Sequence, residues 1–216
     1  MLKLGATLFI ISALMAAALA GVYLMTKDTI ARQEEDKLLN AVAEVLPANA
    51  DPDATETVLK REAEREVPDY FVARNETGAA VGYALVCYGK GFSSVLEIMV
   101  GVDLNGTITG TSVLKQGETP GLGERINEVR SEGTLWSALG DWISGAEKEI
   151  GVTPIPWFQQ QYLGLIAPQL VLSMGVANAD NNEIAAITGA TITSKAFTDG
   201  VRDGVSEFLE RSDIPQ

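Results

Sequence analysis

Two short runs of this sequence have the residue types and spacing to hold a phosphorylated ligand. The first is Thr188-Gly189-Ala190-Thr191-Ile192-Thr193-Ser194-Lys195. It leads into a predicted helix whose N-cap is expected at Thr193 or Ser194. A helix start presents unpaired N–H groups and a partial positive charge, which favour a phosphate. Gly189 and Ala190 leave room for close approach, the hydroxyls at 188, 191, 193 and 194 add donors, and Lys195 adds a cation. The second run is Glu118-Thr119-Pro120-Gly121-Leu122-Gly123, where Pro stiffens the start and the glycines free the backbone to press amides against a ligand. Each run also has a plainer reading, a capped helix with a polar lead-in and a strand-to-helix loop. On spacing alone the plainer readings are favoured.

The residues that are missing restrict the chemistry further. The 216-residue chain has no histidine, and Cys87 is its one cysteine. Haem, iron–sulfur and most zinc sites draw on those two side chains, and Ser–His or Cys–His nucleophilic catalysis needs them outright. No metal site and no catalytic residue is therefore assigned, and redox chemistry would have to come from an organic cofactor. Cys87 lies in the apolar run Tyr83–Tyr88 and reads as a buried, inert thiol. With 29 acidic against 16 basic residues the net charge is −13, which argues against a nucleic-acid partner.

The elements that must position these runs follow from periodicity. Leu4 to Met25 carries no charge, and about 20 such residues span a bilayer as a helix. Ala18-Leu19-Ala20 before Gly21 resembles a signal-peptide cleavage site, but the apolar run continues past it, which favours a retained single-pass anchor. Basic residues counted alone would leave the large domain inside the cell. A helix is expected over Thr29–Leu46, ended by Pro47, and a loop over Asn49–Thr55. Strands are expected at Tyr70–Val72, Ala79–Tyr88, Leu96–Asp103 (half-buried) and Thr107–Leu114, with Asn105-Gly106 as a two-residue hairpin turn. Part of Glu124–Leu139 is expected as helix, Gln169–Ala177 as strand, and Ser194–Leu209 as the last helix. Trp157 and Phe158 could wall a ligand's ring edge, but an aromatic pair here reads more readily as core, whereas Trp136 and Trp142 receive no role. Strands grouped centrally with helices at the ends predict an α+β fold, a mainly antiparallel sheet with flanking helices. The expected organisation is an anchor over 1–27, a helical and loop linker over 28–68, and one ligand-binding domain over 69–216. No Gly-rich dinucleotide fingerprint follows a strand, so no NAD pocket is expected.

Three segments in order, Gly89–Gly123, Trp157–Gly164 and Ile187–Val201, resemble the FMN-binding domain of the G subunit of the Rnf electron-transport complex. The C subunit of the sodium-translocating NADH:quinone reductase shares that domain. The resemblance implies that a flavin transferase joins one FMN per chain to Thr191 as a phosphoester, with Thr188, Gly189 and Ala190 completing the acceptor motif. It also assigns flavin contacts to Glu118, Thr119, Gly121 and Leu122. Such a protein relays electrons beside other redox and membrane subunits of a ferredoxin/NAD-type, ion-exporting complex. It sits in the bacterial inner membrane with its large domain on the periplasmic side. One departure is visible: the family usually places an acid six positions before the modified threonine, where this chain has Ala185, with Glu183 the nearest acid upstream. The alternatives are the quinone-reductase flavin subunit and a flavin-free, membrane-anchored interaction domain of the same fold.

Overall fold

A computed structural model describes residues 2–62, 65–129, 154–212 and 214. Helix α1 (Leu2–Val45) is followed by five strands, β1 (Asp51–Glu62), β2 (Arg65–Arg74), β3 (Ala80–Lys90), β4 (Val95–Asp103) and β5 (Ile108–Lys115). These pair in chain order as an antiparallel meander. Helix α2 (Trp157–Gln160), the parallel pair β6 (Val171–Ser173) and β7 (Glu183–Ala185), and helix α3 (Thr191–Leu209) complete the domain. The expected α+β class and antiparallel sheet are thus present. By contacts the chain divides into Met1–Asn40 and Ala41–Gln216. The first unit is long and apolar enough to cross a membrane, with Leu8, Phe9, Leu14, Leu19 and Leu24 all exposed.

The sheet is covered on both faces. Tyr83, Leu85 and Cys87 of β3 and Ile98, Val100 and Val102 of β4 share a core with Phe197, Val201, Val205 and Phe208 of α3. That helix lies close because its glycines meet β3 directly. A Cβ at Gly200 would lie 2.7 Å from the Tyr88 carbonyl oxygen, and one at Gly204 would lie 2.7 Å from Cys87 Sγ. The opposite face takes the end of α1, where Val45 packs over Gly101 and Gly110 and its carbonyl accepts the Thr109 hydroxyl at 2.7 Å. Strand β4 is therefore buried on both faces rather than half-buried as its alternation suggested, with Met99 as enclosed as Ile98.

Several local expectations are corrected. The Asn49–Thr55 loop instead opens into β1 at Asp51, which pairs with Arg74 of β2 and, after an irregular stretch, continues pairing from Glu56 onward. Pairing across strands here overrides the turn-forming composition. The hairpin after β4 has a three-residue loop, because the Asp103 carboxylate accepts the N–H groups of Asn105 and Thr107, each at 2.8 Å. Within this loop Gly106 alone takes positive φ, +79°, whereas the two-residue Asn-Gly form needs it at both positions. Gln169–Ala177 contributes only the three residues of β6. Gly123–Asn127 forms a 3-10 turn, and the rest of the expected Glu124–Leu139 helix beyond Val129, together with Trp136 and Trp142, lies outside the described residues. Phe158 is buried, edge-on to Tyr162 and Phe197, and Trp157 packs against that core.

Gly200→Ala is expected to destabilise the protein, although alanine is the better helix former by about 1 kcal/mol. Overpacking against the β3 backbone costs about 1–3 kcal/mol and outweighs that gain, so thermal unfolding should shift downward. Burial pushes the Cys87 thiol up to about 12. It should resist thiol reagents at neutral pH until the chain is unfolded.

Candidate functional site

A cavity of about 310 Å³ opens between the turn after β3, the Pro-Gly-Leu-Gly loop and the start of α3, within the size range of small-molecule sites. Its lining comprises Glu118, Thr119, Leu122 and Gly123 from the loop, Gly189 to Thr193 from the helix start, and Phe92. Three of these are large apolar side chains left open to solvent: Phe92 at 70 %, Ile192 at 55 % and Leu122 at 47 % exposure. Apolar walls with few polar groups suit a flat aromatic ring.

Helix α3 begins three residues earlier than its sequence suggested. The N-cap is Ala190, with no side-chain cap, and Thr191 is the first helical residue. The first intrahelical bond runs from Ser194 N–H to the Ala190 carbonyl at 2.9 Å, so the amides of Thr191, Ile192 and Thr193 lie ahead of it. Neither expected cap serves that role. Ser194 is fully buried, its hydroxyl donating to Ala190 C=O and accepting Ile187 N–H, each at 3.0 Å. Thr193 is buried and donates to Glu118 Oε2 at 2.5 Å. Thr191 is half-buried and lines the cavity, and its hydroxyl makes no hydrogen bond among the described residues.

Glu118 holds the site's parts together. Only 5 % exposed, its carboxylate accepts the N–H groups of Phe92 (3.2 Å), Ser93 (3.0 Å) and Ser94 (3.0 Å), the Ser94 hydroxyl (3.4 Å) and the Thr193 hydroxyl. Burial works to raise its pKa, but the bonds from Thr193, Ser93, Ser94 and Phe92 outweigh this and hold it below the usual carboxylate value. Gly123 is required beside it: a Cβ there would lie 2.6 Å from Thr193 Oγ1 and 2.8 Å from Glu118 Oε2.

The structure thus brings Glu118, Thr119, Leu122, Gly189, Ala190, Thr191 and Thr193 to one cavity. Thr188 and Gly121 are exposed beside it without lining it, and Ser194 points into the helix. Lys195 does not face the cavity: its ammonium pairs with Asp199 one turn on, at 2.6 Å, beside a separate groove along β3. Helical periodicity places Lys195 and Thr191 on one side, yet the salt bridge draws the cation away. Phe92, Gly123 and Ile192 were not foreseen as lining residues. An exposed aromatic in Gly91-Phe92-Ser93-Ser94 carries no signal until the fold sets it across from Leu122. The residues fit FMN on two counts, the uncapped amides for its phosphate and the apolar walls for its ring.

Residues 91–206 match the FMN-binding domain family, and residues 1–45 match the RnfG N-terminal region. The chain belongs to the RnfG family. It is 32 % identical to the G subunit of the Na(+)-translocating ferredoxin:NAD(+) oxidoreductase complex of Acetobacterium woodii, covering 97 % of this chain and 92 % of that protein. It is 28 % identical to the G subunit of the ion-translocating oxidoreductase complex of Escherichia coli K12, over 93 % and 87 % of the two chains. A solved structure, the C subunit of the Na(+)-translocating NADH-quinone reductase of Parabacteroides distasonis, shares the fold, with TM-score 0.55, 20 % identity and coverage of 86 % and 98 %. As a member of the RnfG family, the chain has an FMN-binding domain following a membrane-anchor helix.

Glu118→Ala should destabilise the domain by about 1–3 kcal/mol, since it strands the buried Thr193 hydroxyl and frees three part-buried amides of the turn after β3. Because the folded-state pKa of Glu118 is lowered, its contribution is complete above the unfolded carboxylate value and fades as pH falls through the folded one. Denaturant titrations of wild type and variant should therefore converge in acid and separate at neutral pH.

Proposed function

We propose that this chain is an electron-relay subunit of an ion-translocating oxidoreductase complex, with one FMN attached through its phosphate to Thr191. The observation that carries the attachment site is the state of the four hydroxyls in 188–194. Thr193 and Ser194 are buried and committed to Glu118 and to backbone. Thr188 stands outside the cavity, which leaves Thr191 as the residue that both lines it and has a hydroxyl not committed to another group among the described residues. A flavin transferase would form the Thr191 Oγ1–P bond from a flavin phosphoanhydride donor; the hydroxyl proton leaves, and the donor's phosphate leaving group departs.

Bound FMN supplies reversible electron carriage, singly or in pairs. The protein's part is to hold and orient. The first-turn amides of α3 offset the phosphodiester charge, and the apolar side chains of Phe92, Leu122 and Ile192 exclude water from the ring. The Glu118 carboxylate fixes the walls. The relatives are subunits of ion-translocating complexes, which supports further redox and membrane subunits as partners and the translocase as the working unit. We place the large domain on the periplasmic side of the inner membrane, where a covalent bond prevents loss of a cofactor that could not be replenished.

The full-length chain co-expressed with a flavin transferase should give a fluorescent band after denaturing electrophoresis. Thr191→Ala should abolish the band and Thr188→Ala should keep it. A band that persists in Thr191→Ala, or none in the wild type despite an active transferase, refutes the attachment. N-terminal sequencing should find Leu4–Met25 retained, and a mature chain starting at Gly21 would refute the anchor.

A further inference from the structure

The loop wall and the helix wall of the cavity meet directly through Glu118 and Thr193, but both are also fastened to the four-residue helix α2. Trp157 donates its N–H to the Glu128 carbonyl and its indole N–H to Glu128 Oε2, both at 3.1 Å. Gln159, 3 % exposed, spends its amide N–H groups on the Ile126 carbonyl and Asn127 Oδ1, each at 3.0 Å, in the turn that closes the loop. Two residues on, Gln161, just past the end of α2, reaches β7, which leads into the helix wall. Its Oε1 accepts the Ala185 N–H at 2.9 Å, and its Nε2 lies 3.4 Å from the Ala185 carbonyl. Tyr162 adds a bond at 2.8 Å to Thr198 of α3.

We propose that Gln159 and Gln161 are positioning residues for the flavin site, making α2 a bracket that sets the gap between the Pro120–Gly123 loop and Thr191. This rests on the reading of the cavity as the FMN site. A single helical turn has no stability of its own, and Phe158 and Tyr162 already anchor it in the core. An apolar side chain at 159 would fill the space without needing partners, whereas a buried amide is tolerated only with its bonds made. What the two amides add is direction. Gln159 acts as a donor to the loop and Gln161 mainly as an acceptor from β7, so glutamate substitutions separate them. The carboxylate introduced by Gln161→Glu would still accept the Ala185 N–H. The one introduced by Gln159→Glu would face the fixed Ile126 carbonyl, to which it could donate only when protonated. The charged groups on the facing turn are Glu124, Arg125 and Glu128, with Arg125 and Glu128 paired at 3.1 Å.

The test uses the full-length, flavin-labelled chain and reads the visible circular dichroism of the flavin against pH, with covalent label scored separately on denaturing gels. Gln161→Glu should keep the wild-type signal. Gln159→Glu should keep its label but lose most of the signal as its carboxyl ionises, and recover it in acid, a titration the wild type lacks. Gln159→Leu, which carries no charge, should show the loss at every pH and serves if the glutamate variant does not fold. A wild-type signal in Gln159→Leu, or damage in Gln161→Glu equal to that in Gln159→Glu, overturns the bracket alone. An unlabelled wild type overturns the flavin reading and the bracket with it.

Discussion

One buried carboxylate, Glu118, is bonded to two segments far apart in sequence. Its acceptor sites take three successive amides of the turn after β3 and the hydroxyl of a residue in the first turn of α3. A carboxylate has about four acceptor positions, and the donors around it fill them. The geometry leaves it little spare acceptor capacity, and its bonds hold the cavity's walls together. The arrangement is costly to disturb, because the buried Thr193 hydroxyl and three part-buried amides would lose their acceptor together.

That interaction works only because the larger architecture delivers its partners in register. The meander places the β3–β4 turn and the segment after β5 at the same end of the sheet. Helix α3 is seated on β3 by close glycine contact, so its first turn arrives beside the same end with little freedom. The end of α1 closes the other face over Gly101 and Gly110, which makes β4 a central, doubly buried strand. Rigid support on both faces lets three connecting segments hold an ordered cavity.

Much of this is legible in the residues. An apolar run beside a turn locates β3, alternation locates β4, the Asn-Gly hairpin signal locates β5, helical spacing locates α3, and the two glycine-bearing runs have the composition of ligand-holding segments. Contacts between distant parts decide the rest. The first turn of α3 looks like a lead-in because Gly189 and Ala190 break the pattern, yet the packing of Phe197 and Val201 carries the helix back to Thr191. Residues Asp51 to Thr55 look like a loop by composition and open a strand because β2 is there to pair with the residues beyond them. Lys195 has the right charge and distance along the chain, and Asp199 claims it. Phe92 and Gln159 carry no local signature at all, since their significance exists only across the cavity.

The burial of Cys87 against Gly204, in a chain without histidine, has a consequence for the protein as a conductor. Its thiol is sealed under a helix and held protonated, and the Tyr162 phenol is likewise buried and kept neutral. The polypeptide is in that sense an electrical insulator. It contributes no accessible thiolate and no imidazole to trap charge in transit, which leaves carriage to a bound organic group.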